Sequence, residues 1–139
     1  MGQNLRATRA VRWIAMLIAV CLPLAPAVVS AAHLDPVMTQ GQLMDRITNG
    51  QAPPLIDVRT PGEFRSGRIP GAINIPLQEF EQRLAELSTY RDREVVVYCE
   101  TGVRASYGAR RLESLGFEEL RFVDGDLVAW RKAGLPMER

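Results

Sequence analysis

Two hydrophobic patterns alternate along residues 39–139: short unbroken apolar runs, and longer stretches with apolar positions three and four apart. Residues 34–38 read as an ordered lead-in. Thr39 suits a helix N-cap, and Leu43, Met44 and Ile47 keep helical spacing up to the stop signal Asn49 and Gly50. Leu55, Ile56, Asp57 and Val58 form a short buried strand, broken by Pro61 and Gly62. Residues 63–66 leave room for one helical turn. Gly67, Pro70 and Gly71 mark a loop, and residues 72–75 a further short strand.

Pro76 suits a first helical position, and Leu77, Phe80, Leu84 and Leu87 follow as one buried stripe. Val95, Val96, Val97 and Tyr98 carry the strongest strand signal, since a continuous apolar run fits a central parallel strand covered on both faces. Residues 105–115 predict a helix closed by Gly116, and residues 120–123 a strand ended by Asp124 and Gly125. Leu127, Val128 and Trp130 sit on a last helix that stops at Gly134 and Pro136. Strands alternating with helices predict an α/β domain with a central, mostly parallel sheet and helices on both faces.

The first 32 residues follow a different rule. Arg6, Arg9 and Arg12 precede an apolar run over residues 13–24, and small residues follow at Ala25, Ala27, Ser30, Ala31 and Ala32. This is the layout of a secretory signal peptide, with cleavage expected after Ala31 or Ala32. The mature domain is then residues 33–139. Pro23 and Pro26 interrupt the apolar run, whereas a spanning helix needs about 20 apolar residues. An uncleaved N-terminal anchor is the alternative. Val20 stands before Cys21 where a lipoprotein signal would place a small residue.

Loss of the leader changes the charge. The formal charge of +1 loses three arginines and no acidic residue, which leaves −2. A slightly acidic domain has no electrostatic reason to bind nucleic acid or an anionic membrane. No exposed apolar stripe stands out, so a monomer is expected in the periplasm or outside the cell. Cys21 also leaves with the leader, so Cys99 stands alone without a disulfide partner. A lone cysteine is either a small buried hydrophobe or a reactive thiol.

Its surroundings favour chemistry. Cys99 directly follows the central strand, and Glu100, Thr101, Gly102, Val103 and Arg104 lead into the next helix. Parallel α/β sheets bind ligands at the carboxyl ends of their strands. A tight loop entering a helix turns backbone N–H groups toward one point and so favours negative charge on the sulfur. Glu100 opposes this if its carboxylate lies close. Arg104 either lines the site or braces the loop against a carboxylate. His33 is the only histidine and falls at the expected mature N-terminus, so a Cys–His dyad is not in prospect.

Three stretches resemble the rhodanese family. Asp57-Val58-Arg59 opens one motif, and Gly67-Arg68-Ile69-Pro70-Gly71-Ala72 is similar to the second, with Arg68 where histidine is common. Cys99-Glu100-Thr101-Gly102-Val103-Arg104-Ala105 resembles the family's active loop. The tail with Asp124, Gly125, Asp126 and Trp130 is similar to the usual ending, except that Asp126 stands where glycine is frequent.

The resemblance implies a three-layer rhodanese-like domain whose Cys99 takes a sulfane sulfur from a donor such as thiosulfate. A persulfide then passes that sulfur to cyanide or a thiol. It implies that the backbone from Glu100 to Ala105 holds the sulfur, that Asp57 and Arg59 brace loops with Glu63 as the partner of Arg59, and that no metal or organic cofactor is needed. Trp130 is expected in the core, and Arg110 and Arg111 on a solvated face or guiding an anionic substrate.

Two other classes compete. A cysteine phosphatase or arsenate reductase would use a similar loop, but tyrosine phosphatases place five residues between cysteine and arginine where this chain has four. A sulfur-carrier, redox-sensing or protein-binding module would keep the fold without turnover.

Overall fold

The computed structural model describes residues 36–139. The expected signal peptide, Cys21 and His33 lie outside the described residues. Five parallel strands form one sheet: β1 (Val37–Met38), β2 (Leu55–Asp57), β3 (Ile73–Asn74), β4 (Val95–Tyr98) and β5 (Leu120–Val123), in the order β1-β5-β4-β2-β3. The helices are α1 (Gln40–Thr48), α2 (Pro61–Ser66), α3 (Phe80–Leu87), α4 (Val103–Glu113) and α5 (Asp126–Lys132).

The unbroken apolar run of β4 has the predicted consequence. All four of its residues are buried, because successive side chains point to opposite faces and both faces are covered. Val95, Val97 and Cys99 pack with Phe80, Leu87 and Leu112 under α3 and α4. Val96 and Tyr98 pack with Leu43, Leu127 and Trp130 under α1 and α5. Gly108 lets α4 lie close to the sheet, since a Cβ there would come within 3.2 Å of Val58 Cγ1.

Four expectations need correction. Residues 37 and 38 are a strand at the sheet edge rather than a simple lead-in, paired with Phe122 and Val123. Pro61 and Gly62 start α2 rather than merely ending β2. Thr60 caps that helix, and Glu63 returns the bond to the Thr60 N–H, while proline fits the first helical turn because its missing N–H has no helical partner there. Pro76 precedes a 3-10 turn over Leu77–Glu79, and α3 proper begins only at Phe80. The helix expected over residues 105–115 runs two residues earlier at both ends, from Val103 to Glu113.

The topology creates a divergence point. β2 leads outward to β3 at one side of the sheet, and β4 leads to β5 on the other. The carboxyl ends of the neighbouring strands β2 and β4 therefore part, which is where open α/β sheets leave a crevice. Asp57, Arg59 and Cys99 all stand at those ends.

Candidate active site

Cys99 lies one residue beyond β4 and is only 1% exposed. Its Sγ accepts a hydrogen bond from the Gly102 N–H at 3.1 Å. Gly102 adopts φ +90, the left-handed region that favours glycine. This conformation folds the loop back over the sulfur and starts α4. Of the amides from Glu100 to Ala105 that were expected to converge on the sulfur, Gly102 supplies the one at hydrogen-bond distance. Thr101 and Val103 face solvent, while Ala105 is packed into the core beneath the loop.

Arg104 does both things left open by the sequence. Its Nη1 and Nη2 donate to Glu63 at 2.8 and 2.7 Å, a bidentate brace to the start of α2. The same guanidinium lies against Cys99. Its pKa is held above the ordinary arginine value first by the hydrogen bonds to Glu63, against some burial, with further contributions from the charges of Glu63 and Cys99 and a bond to Cys99. Glu63 is held far below the usual carboxylate range, first by Arg104 and then by the Thr60 hydroxyl.

The expected Arg59–Glu63 pair does not form, because the two side chains serve different carboxylate–guanidinium pairs. Arg59 is 1% exposed and runs along the opposite face of the sheet. Its Nε and Nη2 grip Asp57, with Nη2 to Oδ2 at 2.6 Å, and Nη2 also donates to the Gly67 carbonyl at 2.7 Å. Burial disfavours the charge on Arg59, but the bond and the charge of Asp57 outweigh it and keep the pKa above its ordinary value. Tyr98 shares this face: its hydroxyl accepts from the Ile69 N–H at 3.2 Å, and burial beside Asp57 raises its pKa well above the usual phenol range. Asp57 and Arg59 thus pair with each other, and Arg59 links the end of β2 to the Gly67 carbonyl.

Strand parity settles the concern over Glu100. It follows Tyr98 on the face opposite Cys99, where Arg59 Nη1 reaches it at 3.3 Å and Arg131 bonds its other oxygen. Its charge is therefore matched by two guanidiniums. Trp130 is fully buried, as expected, and donates through Nε1 to the Pro136 carbonyl. Arg111 pairs with Glu81 on the outer side of α4, and Arg110 stacks over Tyr107, so both belong to a solvated face.

One site residue escaped the sequence reading. Asp126, the first residue of α5, is 6% exposed and accepts the Cys99 N–H on Oδ1 at 2.7 Å. The next two amides of α5 donate to the same loop, Leu127 to the Cys99 carbonyl and Val128 to the Glu100 carbonyl, each at 3.2 Å. Burial first, then the charges of Asp57 and Glu100, raise the Asp126 pKa, while the Cys99 amide lowers it. The available signal was its departure from a position where glycine is frequent.

The family model for the Rhodanese-like domain matches residues 39–133. A protein of Allochromatium vinosum named "Sulfurtransferase" is 33% identical over 95 residues, covering 68% of this chain and 87% of that protein. An HTH-type transcriptional regulator of Mycobacterium tuberculosis is 40% identical over 121 residues, covering 83% of this chain but only 52% of the regulator.

Among solved structures, a thiosulfate sulfurtransferase from Pseudomonas aeruginosa aligns with TM-score 0.68 at 28% identity, over 76% of this chain and 20% of that one. A rhodanese-related protein from Thermoplasma volcanium aligns with TM-score 0.64 at 29% identity, over 75% of this chain and 98% of its own. The chain thus spans about half of the regulator and a fifth of the Pseudomonas enzyme. The chain belongs to the Rhodanese-like domain family, which includes sulfurtransferases.

Proposed function

We propose that the protein is an exported sulfurtransferase that takes sulfane sulfur from a donor such as thiosulfate and carries it on Cys99 as a persulfide. The observation that carries this reading is the Gly102 N–H aimed at Cys99 Sγ from the loop at the end of the central strand. That donor, with Arg104 alongside, supports negative charge on sulfur where it is needed.

The Cys99 thiolate attacks the outer sulfur of thiosulfate, forming the new S–S bond. The bond to sulfite breaks, and its electron pair leaves with sulfite. Cyanide or an acceptor thiolate then attacks the outer sulfur of the persulfide, and the Cys99 thiolate is regenerated with no net change in its oxidation state. The residues that hold and brace the sulfur in this reading are the loop from Glu100 to Ala105 with Asp57, Arg59 and Glu63 behind it.

Thiosulfate:cyanide turnover, measured beside aryl phosphate hydrolysis, tests the assignment. The wild type is expected to transfer sulfur, Cys99→Ser to lose essentially all turnover with its fold retained, and neither to act appreciably on the phosphate. A Cys99→Ser variant that kept its rate, or dominant phosphatase activity, would contradict it. A second reading, a sulfur carrier without rapid turnover, is favoured by the burial of Cys99 and is met if sulfur loads once but exchanges slowly. Export is tested by N-terminal sequencing of the periplasmic form, expected to begin at Ala32 or His33. An intact leader in the membrane fraction would support an anchor instead.

A further inference from the structure

Asp126 combines three costly features. It is the one non-glycine with positive φ, +52, among the described residues. It is nearly fully buried, and no guanidinium or ammonium among the described residues pairs with it. Left-handed backbone is unfavourable for most side chains, although aspartate tolerates it better than many, and a buried carboxylate without a cation is worse placed still. Such combinations point from strain to function.

The geometry shows what the side chain does. Oδ1 takes the Cys99 N–H, so that amide is turned away from the sulfur. Oδ2 fills the hollow left by Gly102, coming within 2.9 Å of where a Cβ on that residue would lie. The carboxylate therefore touches both ends of the short turn whose Gly102 N–H holds the sulfur.

The cations nearby are already matched. Arg104 is bidentate to Glu63, Arg59 to Asp57, and Arg131 is bonded to Glu100. Around the loop stand four carboxylates, Asp57, Glu63, Glu100 and Asp126, against three guanidiniums. The turn and Arg104 can favour one negative charge on sulfur, but each further charge brought by a donor adds to a cluster in which carboxylates outnumber guanidiniums by one, Asp126 being the carboxylate without a cation of its own.

We infer that Asp126 is a specificity-determining residue that selects sulfur donors of low charge, monoanions of the thiosulfonate or persulfide class, over the thiosulfate dianion. This rests on the sulfurtransferase reading above and narrows its donor class. In both cases Cys99 thiolate attacks the terminal sulfur. A thiosulfonate, R–SO2–S⁻, releases a sulfinate with one charge, and thiosulfate releases sulfite with two. The leaving group and its electron pair correspond in the two reactions, so the donors differ chiefly in charge.

The test compares thiosulfate and methanethiosulfonate as donors for the full chain, with cyanide as acceptor. Asp126→Asn keeps an acceptor for the Cys99 N–H and removes the charge. Its ratio of kcat/KM for thiosulfate over methanethiosulfonate is expected to rise about tenfold, one decade being about 1.4 kcal/mol. Asp126→Gly, which suits the positive φ, is expected to move the ratio in the same direction and guards against misfolding of the first variant. A ratio unchanged in both variants, with Cys99 still loaded by both donors, overturns the role of Asp126 alone. Failure of both donors to place sulfur on Cys99 in the wild type overturns the sulfurtransferase reading beneath it, and loading by thiosulfate but not by methanethiosulfonate overturns the proposed preference.

Discussion

Two arginines hold the Cys99 loop, and they do so in opposite surroundings. Arg59 is 1% exposed and bonds Asp57, Glu100 and the Gly67 carbonyl, tying the ends of β2 and β4 together beneath the surface. Arg104 is 30% exposed and bonds one carboxylate, Glu63, on the side where the sulfur lies. The chemistry of the two pairs is the same, but burial changes what each can do. A desolvated guanidinium with all three of its nitrogens engaged is a fixture of the architecture. A partly wetted one beside the nucleophile can brace the loop and still meet an incoming anion.

The largest effect should come from breaking the buried pair. Arg59→Ala leaves the Asp57 carboxylate buried and unmatched, and removing one partner of such a pair costs about 3–5 kcal/mol. Denaturant unfolding should show that loss. A change below about 1 kcal/mol, the scale of a surface pair, would erase the contrast between the two arginines. Arg104→Ala should do the reverse: less than about 1 kcal/mol in stability, but about a tenfold fall in kcat/KM for sulfur transfer, equivalent to about 1.4 kcal/mol. Equal and proportionate losses in stability and activity would reduce Arg104 to a simple brace.

A smaller effect separates the two carboxylates that reach the loop from α2 and α5. The folded-state pKa of Glu63 is depressed, so its contribution is present above the unfolded value of about 4.3 and fades as pH falls through the lower folded value. Glu63→Gln should therefore be less stable than wild type near neutrality, by a surface-pair amount, with the gap closing in acid.

Asp126 has the opposite sign. Its folded pKa is raised, so the ionised form is disfavoured by folding once the pH exceeds the unfolded value of about 3.9. Asp126→Asn should be at least as stable as wild type near neutrality, and that advantage should disappear on acidification. Parallel unfolding curves at several pH values check both, and gaps moving in the same direction for the two variants would refute the difference in environment.

Much of the fold was legible because local and long-range requirements coincide in it. Four consecutive apolar residues at 95–98 had to be covered on two faces, and Thr39 caps α1 as its position suggests. β1 was not legible: two residues at an edge carry no periodicity, and only pairing with Phe122 and Val123 makes them a strand.

The same distinction runs through the site. Cys99 and its loop could be read locally, since strand, turn and helix are contiguous. The partner of Arg104 lies 41 residues away and that of the Cys99 amide 27 away, and no local pattern assigns Glu63 to Arg104 rather than to Arg59. Asp126 was visible only as a departure from the family pattern, and its contact with the turn emerged only when α5 was placed against the loop.

The central claim is that the sulfur held by the Gly102 amide accepts and carries a sulfane sulfur. Intact-mass measurement of the full chain and of Cys99→Ser after exposure to a sulfane donor addresses it directly. The wild type should gain the mass of one sulfur atom and lose it on adding cyanide, and the variant should gain nothing. A wild type that stays unmodified, or a variant that gains the same mass, would contradict the account.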